Sequence, residues 1–302
     1  MGTGVVSIAL SLDGAQTLSR FLLVVAALIW LMIAVAVPIH ARRDPQRFRA
    51  CARTPAALSW VAATAVVGAR LVLLGWTAAG VVLSAGALVL WGLLIAPVLG
   101  HWRTPTVGAS LLLTVATQSL AVLSAALAVR TRSSWLEVAA LVPFVLGLAS
   151  YAFVITRFDM RQLGLGRGDQ WITGGALAIS TLAAGDLAFG ARSLEVLWRG
   201  HGPLEVLAVG LWAASMLWLP ALVIAEVVRP RPGYDVRRWS TVFPLGMYAA
   251  CSFVVGDLAG AGAITSFARV WAWVALAGWV AVSAAMVRKL FAFGQDHRSP
   301  SA

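Results

Sequence analysis

Ten apolar stretches follow one another along the chain, near residues 1–12, 20–41, 54–75, 78–99, 105–128, 135–157, 171–190, 203–228, 239–261 and 267–292. They alternate in kind. The even-numbered stretches are plain hydrocarbon, as in FLLVVAALIWLMIAVAV from Phe21 and VVLSAGALVLWGLLIAPVL from Val81. The odd-numbered ones carry small and polar residues: MGTGVVSIA at the start, VATQSLAVLSA from Val115, GGALAISTLAAGD from Gly174 and STVFPLGMYAACS from Ser240. A helix crossing a bilayer needs roughly 20 apolar residues, and lipid leaves no hydrogen-bonding group unsatisfied. The pattern predicts an all-α integral membrane fold: odd helices form a polar-lined inner ring around a pore, and even helices meet lipid.

Connections between stretches are short, so neighbours should pair as antiparallel hairpins, five in all. One transmembrane domain is expected over residues 1–293, with a short polar tail over 294–302. The first stretch does not fit. From Met1 to Leu12 a helix rises only about 18 Å at 1.5 Å per residue, so it reads as the second half of a truncated span, with a genuine half-helix as the alternative.

Composition supports the membrane assignment, with 60% hydrophobic and 12% charged residues, against about 25% charged in soluble domains. The net charge of +11 does not mark a nucleic-acid protein, because the positives lie in loops between spans instead of on one basic face. With the loop after the second span placed inside, the inner side holds sixteen Lys and Arg. Among these are Arg42, Arg43, Arg47, Arg49, Arg53, Arg229, Arg231, Arg237, Arg238 and Arg298. The outer side holds seven (Arg20, Arg70, Arg130, Arg132, Arg192, Arg199 and Arg269), which completes the 23. By the positive-inside rule both termini should be cytoplasmic; the plasma membrane is the expected location. No Cys or His spacing suggests a metal site, and no cofactor is expected. GLGRG at Gly164–Gly168 lacks the strand and the Lys-Ser/Thr of a phosphate loop.

Four segments resemble the tellurite-resistance/C4-dicarboxylate transporter family, whose plant relatives are the slow-type anion channels. They are MGTGVVSIA (Met1–Ala9), ATQSLAVL (Ala116–Leu123), DQWITGGALAISTLA (Asp169–Ala183) and WSTVFPLGMYAACSF (Trp239–Phe253). The resemblance runs in register from the first residue to about Phe291. It implies ten helices in five hairpins, a central pore plugged by a phenylalanine of the ninth helix, frequent trimers, and small anions as cargo: malate and similar dicarboxylates, sulfite, tellurite or inorganic anions. Carried onto this chain, the plug is Phe243, with Phe253 as competitor.

The residues themselves offer several roles. Pro244 removes a backbone donor and kinks a helix, and Gly246 permits close approach. Thr3, Ser7, Thr64, Thr117, Gln118, Ser119, Ser180, Thr181, Ser240 and Thr241 could solvate an anion in the pore or bond neighbouring helices instead. Arg70, Asp186 and Asp257 fall towards the outer ends of their helices, either as vestibule charges or as static pairs. A membrane-embedded lipid or prenyl transferase is disfavoured, because the inner acidic residues form no DxxxD or DDxxD cluster to hold Mg²⁺. A sensor or scaffold would bring a soluble output domain. Transport of small anions is the expected function, by carrier or by a channel for monovalent anions.

Overall fold

A computed structural model describes residues 1–195, 201–230 and 233–296. Arg199, Arg231, Arg298 and most of the expected tail lie outside the described residues. The described chain is helical throughout, and its apolar helices follow the expected stretches within a few residues. They are α1 (Gly2–Leu12), α2 (Gln16–Arg43), α3 (Ser59–Leu73), α4 (Thr77–Gly100), α5 (Leu112–Thr131), α6 (Ser134–Ile155), α7 (Ile172–Ser193), α8 (His201–Val228), α9 (Trp239–Leu258) and α10 (Gly262–Asp296). Among the described residues, nine are long and apolar enough to cross a membrane; α1, with 11 residues, is shorter. Two short helices, Pro45–Ala52 and Gln162–Leu165, lie in connections read from the sequence as loops. The first is started by Asp44, whose side chain accepts from the Arg47 amide at 2.9 Å, with Pro45 at the first helical position.

Burial separates the two sets of helices. In the apolar windows of the spans containing α3, α5, α7 and α9, between 61% and 89% of residues are buried within the protein. In α2, α4, α6, α8 and α10 the share is 11–22%. Contacts give the reason. Each odd helix packs against the next (α1 on α3, α3 on α5, α5 on α7, α7 on α9), and α9 packs back on α1, which closes a ring of five. Each even helix lies outside, in the groove between two consecutive odd ones, and α10 covers the groove between α9 and α1. Small residues allow this closeness. A Cβ on Gly175 of α7 would sit 2.6 Å from the Pro244 ring of α9. One on Gly246 of α9 would sit 2.8 Å from a Val5 methyl of α1.

The inner helices run parallel. Each of α3, α5, α7 and α9 is preceded by a single 3₁₀ turn, at Pro55–Leu58, Gly108–Leu111, Asp169–Trp171 and Val236–Arg238. The first three of these turns touch in sequence at one end of the bundle, while the C-terminal halves of all five inner helices surround a cavity at the other.

Candidate functional site

Each inner helix presents one stripe of residues to the ring axis, spaced three or four apart as a helical face requires. On α9 the stripe reads Met247, Ala250, Val254 and Asp257; on α7 it is Ile179, Leu182, Asp186 and Phe189. On α5 it is Ser119, Val122, Ala126 and Val129, on α3 Ala65, Ala69 and Val72, and on α1 Val5, Ile8 and Leu12. Midway along, all five stripes meet around a void of about 10 Å³, close to the smallest space that holds one water. Towards the C-terminal ends they diverge into a vestibule of about 570 Å³. The axis is therefore a funnel that narrows to an apolar constriction, where Ser119 supplies the one hydroxyl among the lining residues.

Phe243 is fully buried and packs in the cluster that contains Val5, Ile8, Ile179 and Met247. It stands four residues before Met247, one turn nearer the N-terminal mouth and on the same face at 100° per residue. Phe253 is 9% exposed and belongs to a different cluster, with Val6 and Leu10 of α1 and Ala268 and Ala272 of α10. It points between helices, about 80° from the stripe. The helix α9 continues through Pro244 and Gly246 without a break.

The polar residues expected at the lining mostly face elsewhere. Thr64 accepts a hydrogen bond from the Trp30 indole at 2.9 Å, Thr117 from Trp91 at 3.0 Å, and Thr3 from Trp279 at 3.0 Å. Trp212 donates likewise to Ser252 at 2.8 Å. Four even helices thus each brace an inner helix with a tryptophan N–H, a group that needs a partner when buried. Ser180 and Thr181 donate to carbonyls four residues back in their own helix, and Ser119 does the same to Val115. Ser7 pairs with Ser19 of α2, and Gln118 donates to the Phe144 carbonyl of α6 at 3.1 Å. Ser240 and Thr241 are half-buried at the N-terminal end of α9, where the Thr241 hydroxyl oxygen has no partner. Sequence reasoning passed over the mid-helix tryptophans; their recurrence at the middle of α2, α4, α8 and α10 was the available signal. Trp91→Phe should lower the melting temperature in detergent modestly, by the loss of one hydrogen bond worth about 1 kcal/mol, and leave the fold intact. Thermal unfolding read by tryptophan fluorescence measures it.

Of the three charges expected in a vestibule, the structure places two there. Asp186 and Asp257 line the wide cavity, joined by Arg130. Arg70 lies behind its wall. Its neighbours Ala69 and Val72 face the cavity, while the guanidinium, on a residue 1% exposed, turns towards α2. There its Nε and Nη2 donate to the Ser19 hydroxyl at 3.1 and 2.9 Å, and Nη2 also to Gln16 Oε1 at 3.4 Å. Among the described residues no carboxylate lies within ion-pair distance of it. At the opposite end, Asp235 accepts from the Arg237 amide and side chain and faces Arg167 at 3.7 Å. The backbone bond from Arg237 leads in holding its carboxyl below the usual aspartate range. Among the described residues, no group of His, Cys, Asp and Glu is arranged to hold a metal ion.

A family model described as voltage-dependent anion channel matches residues 1–287. Two curated relatives are uncharacterised membrane proteins of Mycobacterium tuberculosis, from strains CDC 1551 / Oshkosh and H37Rv. Each is 34% identical over 146 residues, covering 44% of this chain and 70% of the relative. No solved structure matches the chain.

Proposed function

Because the chain belongs to the voltage-dependent anion channel family, we propose that it passes small anions along the axis of its five inner helices, with Phe243 as the plug. The observation that carries this reading is the convergence of the five stripes on one narrow apolar waist below a wide vestibule. A constriction of this kind blocks flow by excluding water and opens when one large side chain moves. Phe243 supports the plug role through its place on the α9 stripe; Phe253 packs away from it. In this reading residues 1–293 form a single transport domain, an inner ring of five helices with five outside it.

Electrostatics favour anions from both sides. The N-terminal ends of the parallel inner helices carry free amides and the positive ends of their dipoles. In the proposed orientation these ends are cytoplasmic and surrounded by loop arginines such as Arg167, Arg237 and Arg238, with both termini on that side of the plasma membrane. At the outer end, Arg70 adds a positive charge that, among the described residues, has no carboxylate within ion-pair distance. Burial in a medium of low dielectric lets its field reach the vestibule. The polar hydroxyls serve chiefly to hold the ring rigid around the path, and the substrate loses much of its hydration at the waist.

The cargo in this reading is a small anion, either a C4-dicarboxylate such as malate or an oxyanion of the tellurite or sulfite type. A channel for monovalent inorganic anions is the second reading, favoured by the single hydroxyl at the constriction, which offers a dianion little solvation. Assembly as a homotrimer remains part of the proposal from the family resemblance. Purified protein in liposomes tests the function, with malate, sulfite, nitrate and chloride compared. Wild type should pass at least one of them. Arg70→Gln should slow that flux on the order of tenfold at low ionic strength, with a smaller effect at high salt as screening takes over. Equal flux by both proteins at low salt would remove Arg70 from the account.

A further inference from the structure

Glu137, in the first turn of α6, is 1% exposed, and neither of its carboxyl oxygens has a hydrogen-bond partner. It lies flat on α7 at Gly190, where a Cβ would stand 2.5 Å from both the carboxyl carbon and Oε2. An added methyl there would force the carboxyl to shift. One turn earlier on the same helix is Asp186, which lines the vestibule. Glu137 therefore stands just behind the vestibule wall.

The charged groups facing it from the elements packed on α6 are few. From the end of α5 come Arg130, which lines the vestibule and extends to Gly75 of the α3–α4 turn, and Arg132, exposed in the following loop. From α7 come Asp186 and Arg192, the latter paired with Glu205 of α8. None of these cations is within ion-pair distance of Glu137 among the described residues. An ionised carboxylate buried without a partner is far costlier than a protonated one, and an ionisable group inside a membrane domain usually serves a function.

We infer that Glu137 is a proton-binding site just behind the wall of the outer vestibule, neutral while it rests on Gly190, and that its loss of a proton to vestibule water adds a negative charge beside the anion path and suppresses anion flux. The effect on flux rests on the proposed anion path; the occupancy of the site by a proton does not. Acid on the outer side should therefore raise flux, on the order of tenfold between alkaline and acid buffer.

Two measurements on the reconstituted full chain test this. Difference infrared spectra between acid and alkaline buffer should show the carbonyl stretch of a protonated carboxyl in wild type and in Asp186→Asn. The band that remains in Asp186→Asn should disappear when Glu137→Gln, whose amide matches the shape of the neutral acid, is added. Flux in Glu137→Gln should stay high at every outer pH, while Asp186→Asn keeps its pH dependence. Persistence of the band in the Glu137→Gln/Asp186→Asn double variant, or its absence from Asp186→Asn, would overturn the site whether or not the protein conducts. A band that behaves as expected, with unaltered pH dependence of flux in Glu137→Gln, would overturn the link to flux.

Discussion

Phe243→Ala should raise anion flux through reconstituted protein by at least about tenfold, which corresponds to lowering the barrier by about 1.4 kcal/mol. The ring is wholly buried and sits one turn below the waist formed by Met247, Ile179 and Val66. Removing it leaves space for water next to a constriction that already holds about 10 Å³. Met247 still narrows the path, but its unbranched side chain can turn aside. The substitution also costs stability, about 3–5 kcal/mol for a buried phenylalanine, so Phe243→Leu should be measured beside it as a milder opening. Phe253→Ala is the control. Phe253 packs among α1, α9 and α10, so its loss should destabilise the protein and leave flux unchanged. Flux that rises equally in both variants would mean a loosened bundle and not an opened plug.

Among the described glycines, Gly108→Ala should be the most disruptive alanine substitution, because its clash is with backbone. An added Cβ would collide with the Asp169 carbonyl and stand 2.8 Å from the Gln170 amide nitrogen. Both are backbone atoms, so no side chain can swing away. The clash would separate the 3₁₀ turns that start α5 and α7, the two most buried inner helices. A loss of about 3 kcal/mol or more is expected, at the upper end for overpacking. It should appear as a much lower melting temperature and a smaller monodisperse fraction in detergent. Gly92→Ala provides the contrast. Nothing lies within 4 Å of its added methyl, and alanine in a helix interior should stabilise by up to about 1 kcal/mol. Similar melting temperatures for the two variants would contradict the close approach.

The two-ring architecture was legible because lipid imposes it. Plain hydrocarbon in α2 and α4 had to face outward, and Gly, Ser and Thr in α5, α7 and α9 had to face protein. What those polar groups do was not legible. Thr64 and Thr117 look alike in sequence whether they face an axis or an indole, because a helical face is about 100° wide and each inner helix meets neighbours on nearly every side. Their partners, Trp30 and Trp91, sit in stretches that read as featureless hydrocarbon. Arg70 lies behind the cavity wall, and its position on α3 does not reveal that Ser19 and Gln16 stand there. Glu137 stands near the start of its span, and nothing in the sequence around it marks it as buried. Only the approach of Gly190 on a helix some fifty residues away shows that it is buried. The inner stripes contain mainly Val, Ile, Leu, Ala and Met, and no polarity pattern could have singled them out.

The central claim is that anions cross along the axis of the inner ring. Its most direct test is the reversal potential of Phe243→Ala protein in a planar bilayer under a potassium nitrate gradient, repeated with potassium chloride. Currents should be well above wild type and reverse close to the equilibrium potential of the anion. Reversal at the potassium potential, or conductance no greater than that of protein-free bilayers with every anion tried, would contradict it.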